Sequence, residues 1–520
     1  MYPPLDTGPT FHTELAATTH AQPDSVFLRC GATSMTYAEL DDASARIASR
    51  LLNMGLRPGD RIAIAALNQP EWLAVFFAAT RIGVVVVMLN ARYREAELDY
   101  MLNHSGARGV FTLSKLDTFD YVAFYSVVAQ QIPMVEHIVY LDDDYSDLAS
   151  TAIDTDALHA AEAAVSPTNP AAILYTSGTT GRPKGAVLTH ASMLAAARGE
   201  LDHLDLTRDD VLVGNMPLNH VGGITCTITA ALLARASVVL MPTFSPADAL
   251  ETVAASRATI FAGVPAMYAM MLAHPDIDRH DLDSIRVAII GGANADPSLC
   301  TAITARFRTA RLSNLYGLSE SSGACLLSAV GDDPATVSST LGVPIPGVEV
   351  RIADVDGADV TPGADGELLI RGAGVAAGYW QMPDETASTF LPDGWLATGD
   401  IVTATPDGHL VLRGRSKEMY IQGGYNVYPI EVENILTTHP AVAMAAGIGI
   451  PDPVLGEIGR YYVLTRPDHD VTADELIAHC RQRLADYKAP KQIVLVDDLP
   501  MTPSGKVAKS QLQQSFSRKV

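Results

Sequence analysis

The residues best suited to chemistry lie in one continuous run from Tyr175 to Gly185, with the sequence YTSGTTGRPKG. Glycines let backbone N–H groups approach phosphate oxygens, hydroxyls add donors and Lys184 adds positive charge, so such a loop can wrap a polyphosphate. The spacing is not the GxxxxGK[ST] of a P-loop, because Lys184 lacks a glycine before it and a Ser or Thr after it. The run therefore disfavours a plain P-loop ATPase, and it leaves a phosphate-binding loop and an ordinary Gly/Thr surface turn as the two interpretations.

Further along the chain, short segments place charged residues among glycines and hydroxyl-bearing residues. Taken singly, each has an ordinary explanation, because Asp in a Thr-Gly-Asp turn is commonly a turn former and an isolated Arg is usually a surface charge. Their fixed order is what makes them informative. In sequence order they are Tyr316-Gly317-Leu318-Ser319-Glu320, Thr398-Gly399-Asp400, Gly414-Arg415-Ser416-Lys417-Glu418 leading to Gly423-Gly424-Tyr425-Asn426-Val427-Tyr428-Pro429, and Pro503-Ser504-Gly505-Lys506.

Together with YTSGTTGRPKG, this ordered set resembles the signatures of the adenylate-forming superfamily, which includes acyl-CoA synthetases, adenylation domains of peptide synthetases and firefly-type luciferases. The similarity runs from about Thr36 to the C-terminus. It implies an AMP-forming acid:CoA ligase that uses Mg²⁺, with ATP and CoA as co-substrates. Such an enzyme makes an acyl-adenylate and pyrophosphate from a carboxylic acid, then passes the acyl group to CoA and releases AMP.

The resemblance implies catalytic roles for Lys506, Thr176, Glu320 and His220. Lys506 would bridge the substrate carboxylate and the α-phosphate as adenylation proceeds, which is electrostatic stabilisation of developing charge. Glu320 would hold the Mg²⁺ that bridges the phosphates, a task suited to a hard carboxylate oxygen. His220 would lie near the carboxylate of the acid.

The resemblance also implies a nucleotide site. Tyr316 would stack on adenine, Asp400 would accept hydrogen bonds from both ribose hydroxyls, and Arg415 would contact the same nucleotide or its phosphate. The full set expected to bind ATP or AMP is Thr176, Ser177, Gly178, Thr179, Thr180, Lys184, Gly292, Ala293, Asn314, Leu315, Tyr316, Gly317, Ser319, Asp400, Arg415 and Lys506.

Two further sites are implied in the same way. Gly423, Gly424 and Tyr425 would line the channel for CoA, and Lys417 matches the hinge of a mobile C-terminal domain. The segment from Met216 to Gly223 resembles a PxxHxxG element beside the acyl group, and apolar walls suggest a largely hydrophobic acid. The expected acyl pocket consists of Asn219, His220, Val221, Gly222, Val264, Gly291 and Gly317.

The elements that must position these residues follow an α/β pattern. A capping box at Thr36 and Glu39 starts a helix, Arg61–Ala65 forms a strand, a second helix runs through Trp72, and a β-branched run begins at Val84. This alternation is typical of a parallel sheet covered by helices. After Gly342 the pattern changes to short β segments with Gly and Asp turns.

We therefore expect a large N-terminal adenylating domain over residues 1–414, built of stacked α/β subdomains plus a β-rich subdomain. A small mobile α+β domain is expected over residues 415–520. The one apolar stretch without Asp, Glu, Lys or Arg, from Val211 to Ala234, is interrupted by polar residues and glycines, so we expect it to be buried and not to span a membrane.

Composition limits the partners. The formal net charge of −23 argues against a nucleic-acid or anionic-membrane surface. The five scattered cysteines suggest neither a zinc site nor a disulfide framework and fit a reducing cytoplasm. The first residues do not form a signal peptide pattern. A soluble homodimer is a reasonable expectation for this kind of enzyme.

Three alternatives stay open. A stand-alone adenylating enzyme could load the phosphopantetheine arm of a carrier protein, whose terminal thiol is the same as that of CoA. A non-catalytic nucleotide- or acyl-binding protein would have no need of both Glu320 and the remote Lys506. A phosphotransferase would release ADP rather than AMP.

Overall fold

The protein is described here by a computed structural model, in which residues 8–176, 182–293, 295–466, 469–501, 507–509 and 511–513 are described. The chain divides into two compact units. The first comprises residues 1–337, 342–350 and 370–397, and the second comprises residues 338–341, 351–369 and 398–520.

The largest sheet belongs to the first unit. Its central strands are parallel, and antiparallel pairs lie at both edges. Within the described residues its strand order from edge to edge is Val343–Pro344, Gly323–Leu327, Arg311–Leu318, Val287–Gly291, Ile260–Gly263, Val211–Gly214, Ser237–Leu240, Val26–Cys30 and Thr33–Thr36.

A second sheet of the first unit is parallel except for one antiparallel pair at its edge, which carries Lys184. Its order is Lys184–Thr189, Pro170–Thr176, Val85–Met88, Arg61–Ala65, Gly109–Thr112 and His137–Tyr140. A small hairpin pairs Lys115–Leu116 with Phe119–Asp120. The strand run expected from Val84 is buried on both faces, as a covered parallel sheet requires.

Helices connect these strands, and the helix start predicted from the capping box at Thr36 is confirmed. Thr36 caps the helix Tyr37–Asn53, and Glu39 completes the capping box. Described helices of the first unit are Phe11–Ala21, Tyr37–Asn53, Pro70–Arg81, Glu95–Ser105, Tyr121–Gln131, Tyr145–Ala149, Thr155–Ala163, His190–Leu204, Val221–Gly223, Ala230–Ala234, Pro246–Ser256, Pro265–Leu272, Pro297–Arg306 and Pro383–Thr389, with Pro334–Ser339 at its boundary, a π-helix at Ile224–Thr229 and 3₁₀ turns at Ile277–Arg279, Ser319–Ser321 and Pro392–Gly394.

The second unit begins with most of a four-stranded sheet, in the order Val348–Ala353, Gly366–Gly372, Leu396–Ala404 and Leu410–Arg415. A second, mixed sheet follows in the order Tyr425–Val427, Tyr420–Gln422, Gly456–Thr465 and Val442–Asp452, and Gln492–Val496 also pairs with Gly456–Thr465. The helices Pro429–Thr437 and Ala473–Arg481 pack with it. The predicted α/β class, with a β-rich region and a smaller α+β region after it, is confirmed.

The charge-free stretch from Val211 to Ala234 forms a strand, a short helix, the π-helix and a further short helix. Leu212, Ile224 and Ile228 are buried in the core, as expected. Among the residues that the structure describes, no helix is both long and apolar enough to cross a membrane.

Candidate active site

Thr176 and Lys184 face each other across the antiparallel strand pair at the edge of the second sheet. The hydroxyl of Thr176 donates to the carbonyl oxygen of Lys184 at 3.4 Å. Lys184 is only 8% exposed, so its ammonium group lies at an inner surface of the first unit. The residues between them that were expected to bind phosphate, Ser177 to Thr180, lie outside the described part of the chain.

A segment from Ala376 to Trp380 holds this strand in place. The Val187 N–H donates to the Gly378 carbonyl at 2.9 Å, and the Trp380 N–H donates to the Gly185 carbonyl at 2.8 Å. Tyr379 therefore sits beside the strand, and its ring lies 4.9 Å from the Nζ atom of Lys184. An ammonium group over an aromatic face is attracted by the ring quadrupole.

Tyr379 also connects this strand to Glu320. Its hydroxyl donates to the Oε1 atom of Glu320 at 2.7 Å, and the Ala376 N–H donates to the Glu320 carbonyl at 2.9 Å. Burial and the adjacent Glu320 carboxylate raise the pKa of Tyr379 well above its ordinary value, so the hydroxyl stays a donor at neutral pH. A cation, a phenol and a carboxylate thus form one hydrogen-bonded and electrostatic cluster, which we call the Lys184–Tyr379–Glu320 cluster.

The strand Arg311–Leu318 contains the expected nucleotide residues Asn314 to Gly317 and leads directly into the turn Ser319–Ser321, which carries Glu320. Gly291 lies beside it on the parallel neighbouring strand, and a Cβ atom at Gly291 would stand 2.7 Å from the Leu315 carbonyl oxygen. A Cβ atom at Gly317 would clash with the backbone of Gly323. Both glycines are therefore required by close backbone approach.

Ser319 opens the 3₁₀ turn that carries Glu320, and the Ser322 N–H donates to the Ser319 carbonyl at 3.0 Å. Gly292 and Ala293 follow the strand Val287–Gly291 directly. Gly292 has a positive φ of 77°, and a Cβ atom there would approach Val264 to 3.4 Å. Ala293 and the pocket residue Val264 therefore follow the carboxyl ends of adjacent parallel strands, where ligands bind in open α/β sheets.

The predicted acyl-pocket element is a helix start in the first unit. His220 is its N-cap, and its Nδ1 atom accepts a hydrogen bond from the Gly222 N–H at 3.1 Å. The His220 side chain is exposed, whereas Val221 is buried and Asn219 is partly exposed. A π-helix follows directly, a feature frequently found at functional sites.

Asp400 and Arg415 lie in the second unit, directly opposite each other on neighbouring antiparallel strands. The Nε atom of Arg415 is 2.9 Å from the Oδ1 atom of Asp400. Asp400 is 1% exposed. Its backbone N–H donates to the Thr398 hydroxyl at 3.1 Å, which helps to hold the residue in place. The arginine side chain is half exposed, so the pair presents a fixed carboxylate and an accessible guanidinium group.

Gly423 and Gly424 form the two-residue turn between the strands Tyr420–Gln422 and Tyr425–Val427. Their φ angles are 60° and 87°, as a tight hairpin turn of this kind requires. Tyr425 is 58% exposed and stacks on Tyr487, with ring centroids 4.5 Å apart. The predicted CoA residues thus form an exposed glycine turn next to an aromatic surface.

Two family descriptions match the chain. Residues 15–380 match the family described as "AMP-binding enzyme". Residues 431–506 match the family described as "AMP-binding enzyme C-terminal domain". The chain belongs to the AMP-binding enzyme family.

Relatives of this AMP-binding enzyme are named as CoA ligases. It is 36% identical over 498 residues to 3-[(3aS,4S,7aS)-7a-methyl-1,5-dioxo-octahydro-1H-inden-4-yl]propanoyl:CoA ligase of Mycobacterium tuberculosis, covering 95% of this chain and 96% of the relative. It is also 36% identical over 500 residues to feruloyl-CoA synthase of an Amycolatopsis species, again covering 95% and 96%. ATP-bound MatB from Rhodopseudomonas palustris has a similar structure, with a TM-score of 0.86, 29% identity and coverage of 98% and 99%.

These similarities confirm the predicted enzyme class, an AMP-forming acyl-CoA synthetase, and the use of ATP and CoA fits this family. The residue roles stay predictions. Of the predicted site residues, the structure gathers Thr176, Lys184 and Glu320 in the first unit and pairs Asp400 with Arg415 in the second. Lys506 lies outside the described residues, and the hinge role of Lys417 and the boundary between residues 414 and 415 remain predictions.

The sequence motifs did not identify two residues of the first unit, Tyr379 and Glu200, whose contacts or burial single them out in the structure. Tyr379 contacts both Glu320 and Lys184, although no motif identified it. Glu200 is a fully buried carboxylic acid in the helix His190–Leu204. A Glu within an apolar helix pattern was the available signal for Glu200, whereas only the fold brings Tyr379 to its partners.

Proposed function

We propose that this acyl-CoA synthetase activates a largely hydrophobic carboxylic acid in two half-reactions. Acid and MgATP give an acyl-adenylate and pyrophosphate, and the CoA thiol then displaces AMP. The Lys184–Tyr379–Glu320 cluster is the observation that supports this proposal most directly, because it brings together the cation of the predicted phosphate-binding motif and an oriented carboxylate.

Each group of the cluster has a distinct task in the proposal. Lys184 neutralises phosphate charge as pyrophosphate departs, and its low exposure strengthens that interaction. Tyr379 fixes the carboxylate of Glu320 through one oxygen. In the second unit, we propose that Asp400 binds the ribose hydroxyls and that Arg415 contacts the nucleotide, as the resemblance implies.

The chemistry of Glu320 fits a magnesium ion. No group of three or more His, Cys, Asp or Glu side chains gathers as a metal site among the described residues. Mg²⁺ is usually bound by one or two carboxylates together with substrate phosphates, so a single oriented Glu320 is a suitable protein ligand. When bound there, Mg²⁺ would offset negative charge on the phosphates.

The names of the relatives inform the class of acid. One relative is named for a bicyclic diketone propanoate and another for ferulate, and both of these acids carry a ring system. We propose that the acid of this protein likewise has an apolar body, in keeping with the apolar residues Val221 and Val264 of the predicted pocket.

The proposal is tested by incubating the protein with MgATP and a panel of aliphatic, alicyclic and aromatic acids, with and without CoA. Mass spectrometry follows pyrophosphate, AMP and acyl-CoA. We expect AMP and an acyl-CoA for at least one cyclic acid. Acyl-AMP without a thioester would favour a carrier protein as acceptor, ADP would favour a phosphotransferase, and no nucleotide cleavage with any acid would contradict the proposal.

A further inference from the structure

A carboxylic acid with one oxygen that has no hydrogen-bond partner among the described residues is buried inside the first unit. Glu200 is 1% exposed, and its Oε2 atom makes no hydrogen bond to any described residue. Buried polar side chains nearly always have a hydrogen-bond partner, so an exception calls for an explanation. Neither the predicted nucleotide site nor the Lys184–Tyr379–Glu320 cluster uses this residue.

Glu200 lines a small cavity of about 10 Å³, which has room for about one water molecule or one carbonyl or hydroxyl oxygen. Apart from Glu200, Cys226 and Thr227, the side chains that line it are apolar, including Leu204, Leu212 and Ile260. The hydroxyl of Thr227 already donates to the Gly222 carbonyl at 2.9 Å. The Glu200 carboxyl is therefore the principal group able to form a hydrogen bond with an occupant of this cavity.

Two of the strands that line the cavity lead to predicted acyl-pocket residues. Ala262 and Ile289 line it and are directly opposed on neighbouring parallel strands. Two residues further along these strands are the pocket residues Val264 and Gly291. An acyl group that passes Val264 and Gly291 would therefore point its far end toward Glu200.

The state of the carboxyl decides what it can bind. Burial raises the pKa of Glu200 to about 8, and a hydrogen-bonding contact with Cys226 opposes this shift. Burial, Glu200 and Cys325 together raise the pKa of the Cys226 thiol well above its ordinary value. Both groups are therefore neutral at pH 7, and a protonated carboxyl offers one O–H donor.

We infer that Glu200 determines acid specificity by donating a hydrogen bond to an uncharged oxygen, a ketone or a hydroxyl, at the far end of an otherwise apolar acid. This inference rests on the proposed function and adds the substrate class to it. A charged distal group is excluded, because an apolar cavity with a neutral carboxyl cannot compensate for its desolvation.

The inference is tested with a matched pair of acids, cyclohexylpropanoate and the analogue that carries a ketone on the ring carbon opposite the chain. AMP release gives kcat/KM for each acid. We expect the protein to prefer the ketone acid about tenfold or more, because a site built around a hydrogen bond rejects an analogue that lacks it. Glu200→Met should remove this preference by lowering kcat/KM for the ketone acid alone, whereas Glu200→Gln, which keeps a donor, should retain part of it.

Glu251→Met is the matched control, since Glu251 is exposed on another helix of the same unit. An unchanged ratio between the two acids in Glu200→Met would overturn the inference and leave Glu200 as a structural group satisfied by water. Activation of other acids but of neither member of the pair would also overturn it, while the proposed function stands. Absence of AMP with every acid would instead contradict the proposed function itself.

A second measurement does not depend on the folding of a variant. As pH rises through about 8, Glu200 ionises and loses its donor, so the preference for the ketone acid should fall in the unmodified protein. Comparing the two acids at each pH cancels the titration of groups common to both reactions. A ratio that stays constant from pH 6 to well above this pKa would contradict a hydrogen bond from Glu200.

Discussion

Tyr379 shows how much of the candidate site depends on one side chain outside the sequence signatures. Its hydroxyl donates to Glu320, its ring faces Lys184, and the same ring contacts Phe390, with ring centroids 5.4 Å apart. The residue is 59 positions from Glu320 in sequence, so no local pattern connects them. We therefore propose that Tyr379 is a positioning residue, which acts through the Glu320 carboxylate and the Lys184 ammonium group.

Tyr379→Phe keeps the ring and its interaction with Lys184 but removes the hydrogen bond to Glu320. We expect the adenylation rate to fall about tenfold, in line with the loss of one oriented hydrogen bond to a charged group. The Mg²⁺ concentration for half-maximal activity should rise as well, a change that a general loss of stability would not produce. Pyrophosphate release measured across Mg²⁺ concentrations checks both.

Tyr121→Phe is the control for this prediction. It removes another buried phenol, whose hydroxyl donates to the Ala91 carbonyl at 2.5 Å, away from the cluster. Its Mg²⁺ dependence should match that of the unmodified protein. Equal effects of the two substitutions would show that Tyr379 contributes only to folding.

Among the elements of the second unit, the segment that follows Lys506 is held by ion pairs of Lys509. The ammonium group of Lys509 lies 2.5 Å from Glu418 and 2.8 Å from Glu433, and Glu433 also accepts from the Gly447 N–H at 2.7 Å. Although burial opposes its charge, Glu433 and Glu418 raise the pKa of Lys509. Met501 and Val507, which precede and follow Lys506 in the sequence, form an antiparallel bridge.

Lys509→Met should destabilise the second unit by about 3 kcal/mol, because it leaves the buried Glu433 carboxylate without compensating charge. Lys488→Met breaks a partly exposed pair with a single carboxylate, Glu431, which is less buried than Glu433, and should cost about 1 kcal/mol or less. Adding Glu433→Gln to Lys509→Met should recover part of the loss, since it removes an uncompensated charge. Urea unfolding of the three variants measures these differences, and equal costs for the two lysines would refute the stabilising role of the Lys509 ion pairs.

At the scale of the whole molecule, the chain uses two compact units that carry different parts of the predicted site. The first holds the Lys184–Tyr379–Glu320 cluster, and the second holds the Asp400–Arg415 pair and the segment around Lys506. The predicted role of Lys506 concerns adenylation alone, so it can be tested by measuring the two half-reactions separately.

Lys506→Ala should abolish acyl-adenylate formation, because it removes the charge expected to stabilise the adenylation transition state, a loss on the order of 10²-fold or more. Thioester formation from supplied acyl-AMP and CoA should stay largely intact. Lys491→Ala, at an exposed lysine of the same unit, should affect neither step. A matching fall in both half-reactions would contradict the assigned role of Lys506.

The sequence by itself determined the kinds of elements and the family. The strands Arg61–Ala65 and Ser237–Leu240 and the capped helix from Tyr37 were predicted from local patterns, because side-chain periodicity and capping depend only on neighbours in the chain. Family signatures likewise depend on residue type and spacing. Helix ends and strand ends shifted by one or two residues, since the last turns are set by packing.

Only the tertiary structure decided which residues face one another. It brought Tyr379 to Glu320 and Lys184, and it buried the Glu200 carboxyl beside Ile260 and Ile289, residues from separate strands of the large sheet. These arrangements depend on how strands order themselves and how helices cover them, which local periodicity does not encode. The residues predicted to bind phosphate are contiguous in the sequence, whereas those proposed to select the acid are distant from one another, because a pocket forms only when the sheet and its helices pack.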